Sequence, residues 1–152
     1  MRGVYTAEIE IASVSAAKTL LLLEAPADGV LEILSANVTN MNNDSNEQLE
    51  AGLFEVTTKG TPAGTSVTPT KHEPGDQASS ATATGDLTAE PSAYDTKAID
   101  RQGFSNLAGY RYDPIPEERP VVKPGGLVGL RLLAAPATAA KMTAQIVYRQ
   151  IG

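Results

Sequence analysis

The chain has 152 residues, 12 basic and 18 acidic side chains, a net charge of −6 and a pI of 4.7; that fits one domain and disfavours a nucleic-acid partner, because a polyanion would be repelled. No cysteine and a single histidine, His72, are present, so disulfides, thiolate zinc sites, thiol nucleophiles and multi-histidine metal centres within one chain are excluded. The longest apolar run near the N-terminus, Leu20 to Leu23, is far short of the roughly 20 residues that span a bilayer. Met1 to Glu10 also lack the basic-then-apolar order of a signal peptide. The expectation is a soluble protein, made in the cytoplasm, without a membrane partner and stable without oxidation.

Frequent glycine and proline cut the chain into segments too short, and too rich in Val, Ile and Thr, for ordinary helices. The reading is therefore all-β. In Val4 to Ile11, Tyr5, Ala7, Ile9 and Ile11 share one face and Thr6, Glu8 and Glu10 the other, the alternation of a half-buried strand. Lys18 to Ala25 contains the unbroken Leu20–Leu23 run of a strand covered on both faces, and Pro26-Ala27-Asp28-Gly29 supplies the turn after it. A third strand runs from Val30 to Met41. Asn40 to Glu47 reads as a polar loop and Leu49 to Thr58 as a fourth strand.

From Gly64 to Ser92 only Val67 and Leu87 are larger aliphatics. This stretch is expected to be a surface excursion, spanning about 60–92 with its flanks, that forms no core and at most one weak edge strand at Ala81 to Thr84. Strand patterning resumes over Ala93 to Arg101. Phe104 to Pro124 then carries Phe104, Tyr110 and Tyr112 among prolines that hold the backbone extended. The last two strands are the clearest: Gly126 to Ala134 puts Val128, Leu130 and Leu132 on one face, and Lys141 to Gln150 does the same with Met142, Ala144, Ile146 and Tyr148. About eight strands with long central connections predict an all-β, antiparallel jelly-roll sandwich with long surface loops, in one domain over 1–152, rather than an immunoglobulin sandwich. Ile9, Leu31 or Leu34, Leu130 and Ile146 are the expected core.

The motifs of chemistry are weak. Gly103-Phe104-Ser105-Asn106-Leu107 begins like a nucleophile elbow but lacks the closing glycine and a following helix. His72 lies between Lys71 and Glu73 in the polar excursion, where a solvated histidine is the ordinary outcome. Gly60 to Ser66 has no lysine in a Walker position and reads as a hairpin loop. Asn42 to Asn46 lacks the glycine and terminal glutamate of an EF-hand and reads as a solvated turn. The Asn37-Val38-Thr39 and Asn43-Asp44-Ser45 sequons carry no weight without a secretory signal. No enzyme, metal or cofactor is expected.

One stretch stands out: Tyr110-Arg111-Tyr112-Asp113-Pro114-Ile115-Pro116-Glu117-Glu118-Arg119-Pro120. Tyrosine and arginine braced by proline offer large contact area with little entropy left to lose, which makes Tyr110, Arg111, Tyr112, Glu117, Glu118 and Arg119 candidate intersubunit contacts. The alternative is that Tyr110 and Tyr112 cap the core while Glu117, Glu118 and Arg119 are solvated.

Tyr5-Thr6-Ala7, the Ala25-to-Asp28 turn, Thr68-Pro69 with Glu73 to Asp76, the Pro114-to-Arg119 segment and Pro124-Gly125 together resemble small virion-associated proteins encoded in tailed-bacteriophage structural clusters. The resemblance covers nearly the whole chain and implies a jelly-roll decoration, or cement, protein. Such a protein sits on the outer face of the capsid, contacts the major capsid protein and commonly forms homotrimers. A core rich in Ala and Thr, with 5% aromatics, buries limited apolar area. At about 25 cal/mol per Å², an interface of about 1,000 Å² matters to a fold with a margin of about 5–15 kcal/mol. The second function class is a saccharide-binding jelly-roll head of a fibre or tail-associated protein, with Tyr94, Tyr110 and Tyr112 as candidate platform residues.

Overall fold

The computed structural model describes residues 3–42 and 45–152. In chain order its strands are β1 (Val4–Val14), β2 (Lys18–Glu24), β3 (Val30–Asn40), β4 (Gln48–Thr58), β5 (Ala63–Val67), β6 (Thr70–Lys71) and β7 (Thr82–Ala89). There follow β8 (Ala93–Tyr94), β9 (Asp100–Ser105), β10 (Tyr110–Tyr112), a 3-10 turn at Pro116–Glu118, β11 (Val121–Val122), β12 (Leu127–Leu132) and β13 (Ala140–Ile151). All pairings are antiparallel. One sheet has the order β10-β3-β13-β1-β6, with β11 also on β3; the other has β5-β7-β2-β12-β4-β8, with β9 also on β4. The two sheets pack against each other as a β-sandwich.

Within these sheets, β10-β3-β13-β1 faces β9-β4-β12-β2. Consecutive members of this set of eight alternate between the sheets, except β4 and β9, which are neighbours. That is the double Greek key of a jelly roll. Everything from β5 to β8 is an insertion between β4 and β9. It widens one sheet through β7 and β5, edges the other through β6, and returns to β4 through β8.

The faces follow the sequence pattern where strands are regular. Tyr5, Ala7 and Ile11 of β1 are buried, as are Val128, Leu130 and Leu132 of β12 and Met142, Ala144, Ile146 and Tyr148 of β13. Where a strand bulges, the pattern changes sides. In β2, Leu21 pairs with Leu130 but Thr19 pairs with Arg131, leaving Leu20 as an extra residue. Leu20, Leu21 and Leu23 all enter the central core, while Leu22 joins Val56, Leu87 and Leu127 in a second apolar cluster. The both-faces-covered strand expected from Leu20–Leu23 is thus observed. In β3, Val147 pairs with Ser35 and Tyr148 with Ile33, so Leu34 is the extra residue. Leu31 is therefore fully buried and Leu34 only partly.

Two sequence expectations are corrected. The excursion does supply core: Ala81 and Ala83 are buried in the main cluster and Leu87 in the second. Its weak edge strand is an inner one, because β7 hydrogen-bonds β2 on one side and β5 on the other. Small residues are what this position requires, since a Cβ on Gly85 would come within 2.4 Å of Ile9 Cδ1. Ile9, expected in the core, is instead half-buried, packed over β7. The excursion is also tied to the opposite sheet, where Tyr5 Oη donates to Gln77 O at 2.9 Å and the Ser79 and Tyr148 hydroxyls lie 2.7 Å apart. Second, Ala93 to Arg101 is not one strand. The backbone turns after Tyr94, where Asp95 Oδ1 accepts from the Lys97 amide at 3.0 Å, the local side-chain bond by which Asp competes with a ladder.

Leu130 sits at the centre of β12 with no exposed surface. Leu130→Ala is expected to cost about 2–5 kcal/mol in denaturant unfolding; a loss below about 0.5 kcal/mol would place this face of β12 outside the packed core.

Candidate functional site

The Tyr110–Pro120 segment is a strap along the edge of β3. Tyr110 to Tyr112 pair with Val38 to Ala36, and Val121 and Val122 pair with Glu32 and Leu31. The Ile33 amide donates to Pro120 O at 2.9 Å, and the Glu118 amide closes the 3-10 turn on Ile115 O, also at 2.9 Å.

Within the strap the six candidate contact residues separate. Tyr110 is 1% exposed, packs against Phe104 and donates its hydroxyl to Asp100 Oδ2 at 2.7 Å. It is therefore a core residue rather than an exposed contact residue. Burial first, and the Asp100 carboxylate second, push its phenol pKa strongly up. Arg119 finds a carboxylate in its own chain. Its Nη1 lies 3.5 Å from Glu32 Oε1, while Arg149 Nη1 donates to Glu32 Oε2 at 3.0 Å, so Arg119 is an anchor for the strap. Tyr112 is half-buried against the core. Arg111, paired with Asp113, and Glu117 and Glu118 are exposed. Two apolar residues that the sequence reading passed over stand out beside them: Ile115 is 57% and Val121 63% exposed.

A concave feature lies outside β4, β8 and β12, a groove of about 580 Å³ lined by Phe54, Glu90, Ser92, Tyr94, Asp95 and Arg131 among others. The Arg131 guanidinium carbon lies 4.2 Å from the Tyr94 ring centroid and 4.8 Å from that of Phe54, a double cation–π contact. Tyr94 lies flat on the sheet because β12 has glycine beneath it; a Cβ on Gly129 would come within 2.5 Å of Tyr94 Oη. The β2 bulge turns Thr19 toward Tyr94. Its amide donates to Glu90 Oε1 at 2.7 Å and its hydroxyl to Glu90 Oε2. With the Thr19 proton committed there, the Tyr94 hydroxyl donates to Thr19 Oγ1.

Of the three tyrosines weighed as a saccharide platform, Tyr110 is in the core, Tyr112 packs against it, and Tyr94 lines the groove. Sequence reading missed Phe54, Glu90, Asp95 and Arg131. The available signal was Arg131 itself, a charge inside the apolar Leu127–Leu132 strand. His72 Nε2 lies 2.6 Å from Thr6 Oγ1 at the β1 edge. The Ser105 hydroxyl accepts from the Leu107 amide in the β9–β10 turn. Among the described residues no group of three or more His, Asp or Glu is placed to hold a metal ion. The turn at 42–46 and the second sequon include residues 43 and 44, which lie outside the described residues. No protein family, curated protein or solved structure matches the chain.

Burial, reinforced by the Glu90 carboxylate and opposed by Arg131, pushes the Tyr94 phenol up to about 12. Burial pushes Tyr148 to about 12 as well. Unfolded phenols ionise near pH 10, so above that pH the unfolded chain holds fewer protons than the folded one. The contribution is complete below about pH 10 and is lost as pH rises through the folded values. The thermal midpoint should accordingly fall between about pH 10 and 12, and less steeply in a Tyr94→Phe/Tyr148→Phe variant. An equal slope in both proteins, with tyrosinate absorbance rising at the unfolded pH, would contradict the burial of these hydroxyls.

Proposed function

We propose that this chain is a non-enzymatic virion protein that decorates and stabilises the outer surface of a tailed-phage capsid as a homotrimer bound to the major capsid protein. The resemblance of its short motifs to decoration proteins supports this reading. The observation that carries it furthest is the strap: a proline-braced segment, fastened to β3 by ladder bonds and by Arg119–Glu32, that holds Ile115 and Val121 in water. Apolar side chains held rigid in solvent lose little entropy on contact and gain burial. Flanking Arg111, Tyr112, Glu117 and Glu118 supply the polar rim that gives such a contact its register. Tyr110 and Arg119 act one step back, by fixing the strap's path.

The proposal is tested by light scattering of the purified chain and by occupancy on heads that lack it. Replacing both Ile115 and Val121 with Asp should raise the trimer dissociation constant, or lower head occupancy, at least about tenfold. Leu107→Asp, at an equally exposed apolar position in the β9–β10 turn beyond the other end of the β10–β3 pairing, should leave both unchanged. A strictly monomeric unmodified chain that fails to bind such heads would overturn the proposal.

A further inference from the structure

We infer that the groove outside β4, β8 and β12 binds a saccharide bearing a uronic-acid carboxylate, anchored by Arg131. The carboxylates around it already have partners. Glu90 accepts from Thr19 with both oxygens, Glu50 pairs with Arg101, and Asp95 Oδ1 accepts from the Lys97 amide. Arg131 differs: among the described residues no carboxylate lies within 4.0 Å of its guanidinium. In place of a carboxylate it has the Phe54 and Tyr94 rings beside it. The Phe54 and Tyr94 rings are inclined at 70° to each other, so the guanidinium packs in the corner between them, and among the described residues its N–H donors meet no acceptor; a carboxylate can take two of them in a two-point contact.

The rest of the groove selects among carboxylate ligands. Ser92, Thr96, Asp95 and Glu90 line it, and a ring with vicinal hydroxyls can donate to and accept from polar side chains of this kind. A lipid tail would leave them unpaired. An extended peptide would dock by strand addition, for which the two-residue β8 is too short an edge. A nucleic acid meets the net charge of −6. The volume lies within the range of small-ligand sites, about 300–1,000 Å³.

The inference stands apart from the capsid reading, since it uses none of the strap residues. Its test is calorimetry and ligand-observed NMR on the full chain, with glucuronate and galacturonate beside glucose, galactose and acetate. At least one uronate should bind about tenfold more tightly than its neutral hexose and than acetate. Arg131→Met should abolish that preference, and Arg131→Lys, which keeps the charge and loses the planar fork, should retain only part of it. The Ile115→Asp/Val121→Asp variant should bind the uronate unchanged. Three results would each overturn the inference: no binding of either uronate to about 10 mM, equal affinity for acid and neutral sugar, or acetate binding as well as the uronate. All three are read on the unmodified protein and do not depend on whether a variant folds.

Discussion

One extra residue in β2, Leu20, decides which way both ends of that strand face. From Leu23 back to Leu21 the side chains alternate between the core and the outer cluster. Regular continuation would then have turned Leu20 outward and Thr19 into the core. The bulge against Leu130 and Arg131 reverses this. Leu20 is instead buried with Leu21, and Thr19 reaches the opposite face, where Glu90 and Tyr94 satisfy its amide and hydroxyl. A buried threonine with no partner would carry a desolvation cost. Here the same atoms fasten the insertion's return segment to the sheet and thereby build one wall of the groove.

The remaining architecture is a matter of closing edges. β1 and β13 pair almost from end to end, Val4 with Arg149 through Ile11 with Met142, so the two ends of the chain meet in the middle of one sheet. Such pairing is non-local and predicts slow folding relative to a helical domain of the same size. The outer strands of the sheet that carries the strap are short, two residues in β6 and β11 and three in β10, whereas the other sheet ends on β5, with five residues, and on β8 and β9, with two and six. Short edges offer little template for pairing with another chain. On the strap's sheet an interface is therefore more naturally made by side chains presented from loops than by adding strands.

Glu32 shows how a charged residue organises the strap without belonging to its contact surface. It receives Arg149 from the neighbouring strand β13 and Arg119 from the end of the strap. Its carboxylate is largely shielded, and an ion pair in that setting is weakened less by salt than one in open water. The strap and the groove belong to different sheets: β10 and β11 border β3, while Tyr94 and Arg131 lie on β8 and β12. One molecule thus has room for a protein contact and a small-ligand contact that do not compete.

The regular strands were legible in the chain alone. The alternation of Tyr5, Ala7 and Ile11, of Val128, Leu130 and Leu132, and of Met142 to Tyr148 assigned their faces, because the period of two is a local property of extended backbone. The count of strands and the long central connection likewise led to the jelly roll. Bulges were beyond that reach: whether Leu20, Leu31 or Leu34 points inward depends on the register of a partner strand more than 100 residues away. So did the fate of the Ala-, Gly- and Thr-rich insertion. Its composition reads as surface until β1 is laid across Gly85, at which point small size becomes the condition for packing. Tyr110 and Arg119 looked like contact residues because their chemistry suits contacts, and the fold assigned them to the core and to Glu32. Arg131 and Tyr94 stand 37 positions apart in the chain; β4 lies between their strands and brings them to one face, a juxtaposition made by sheet order, which local patterning does not encode.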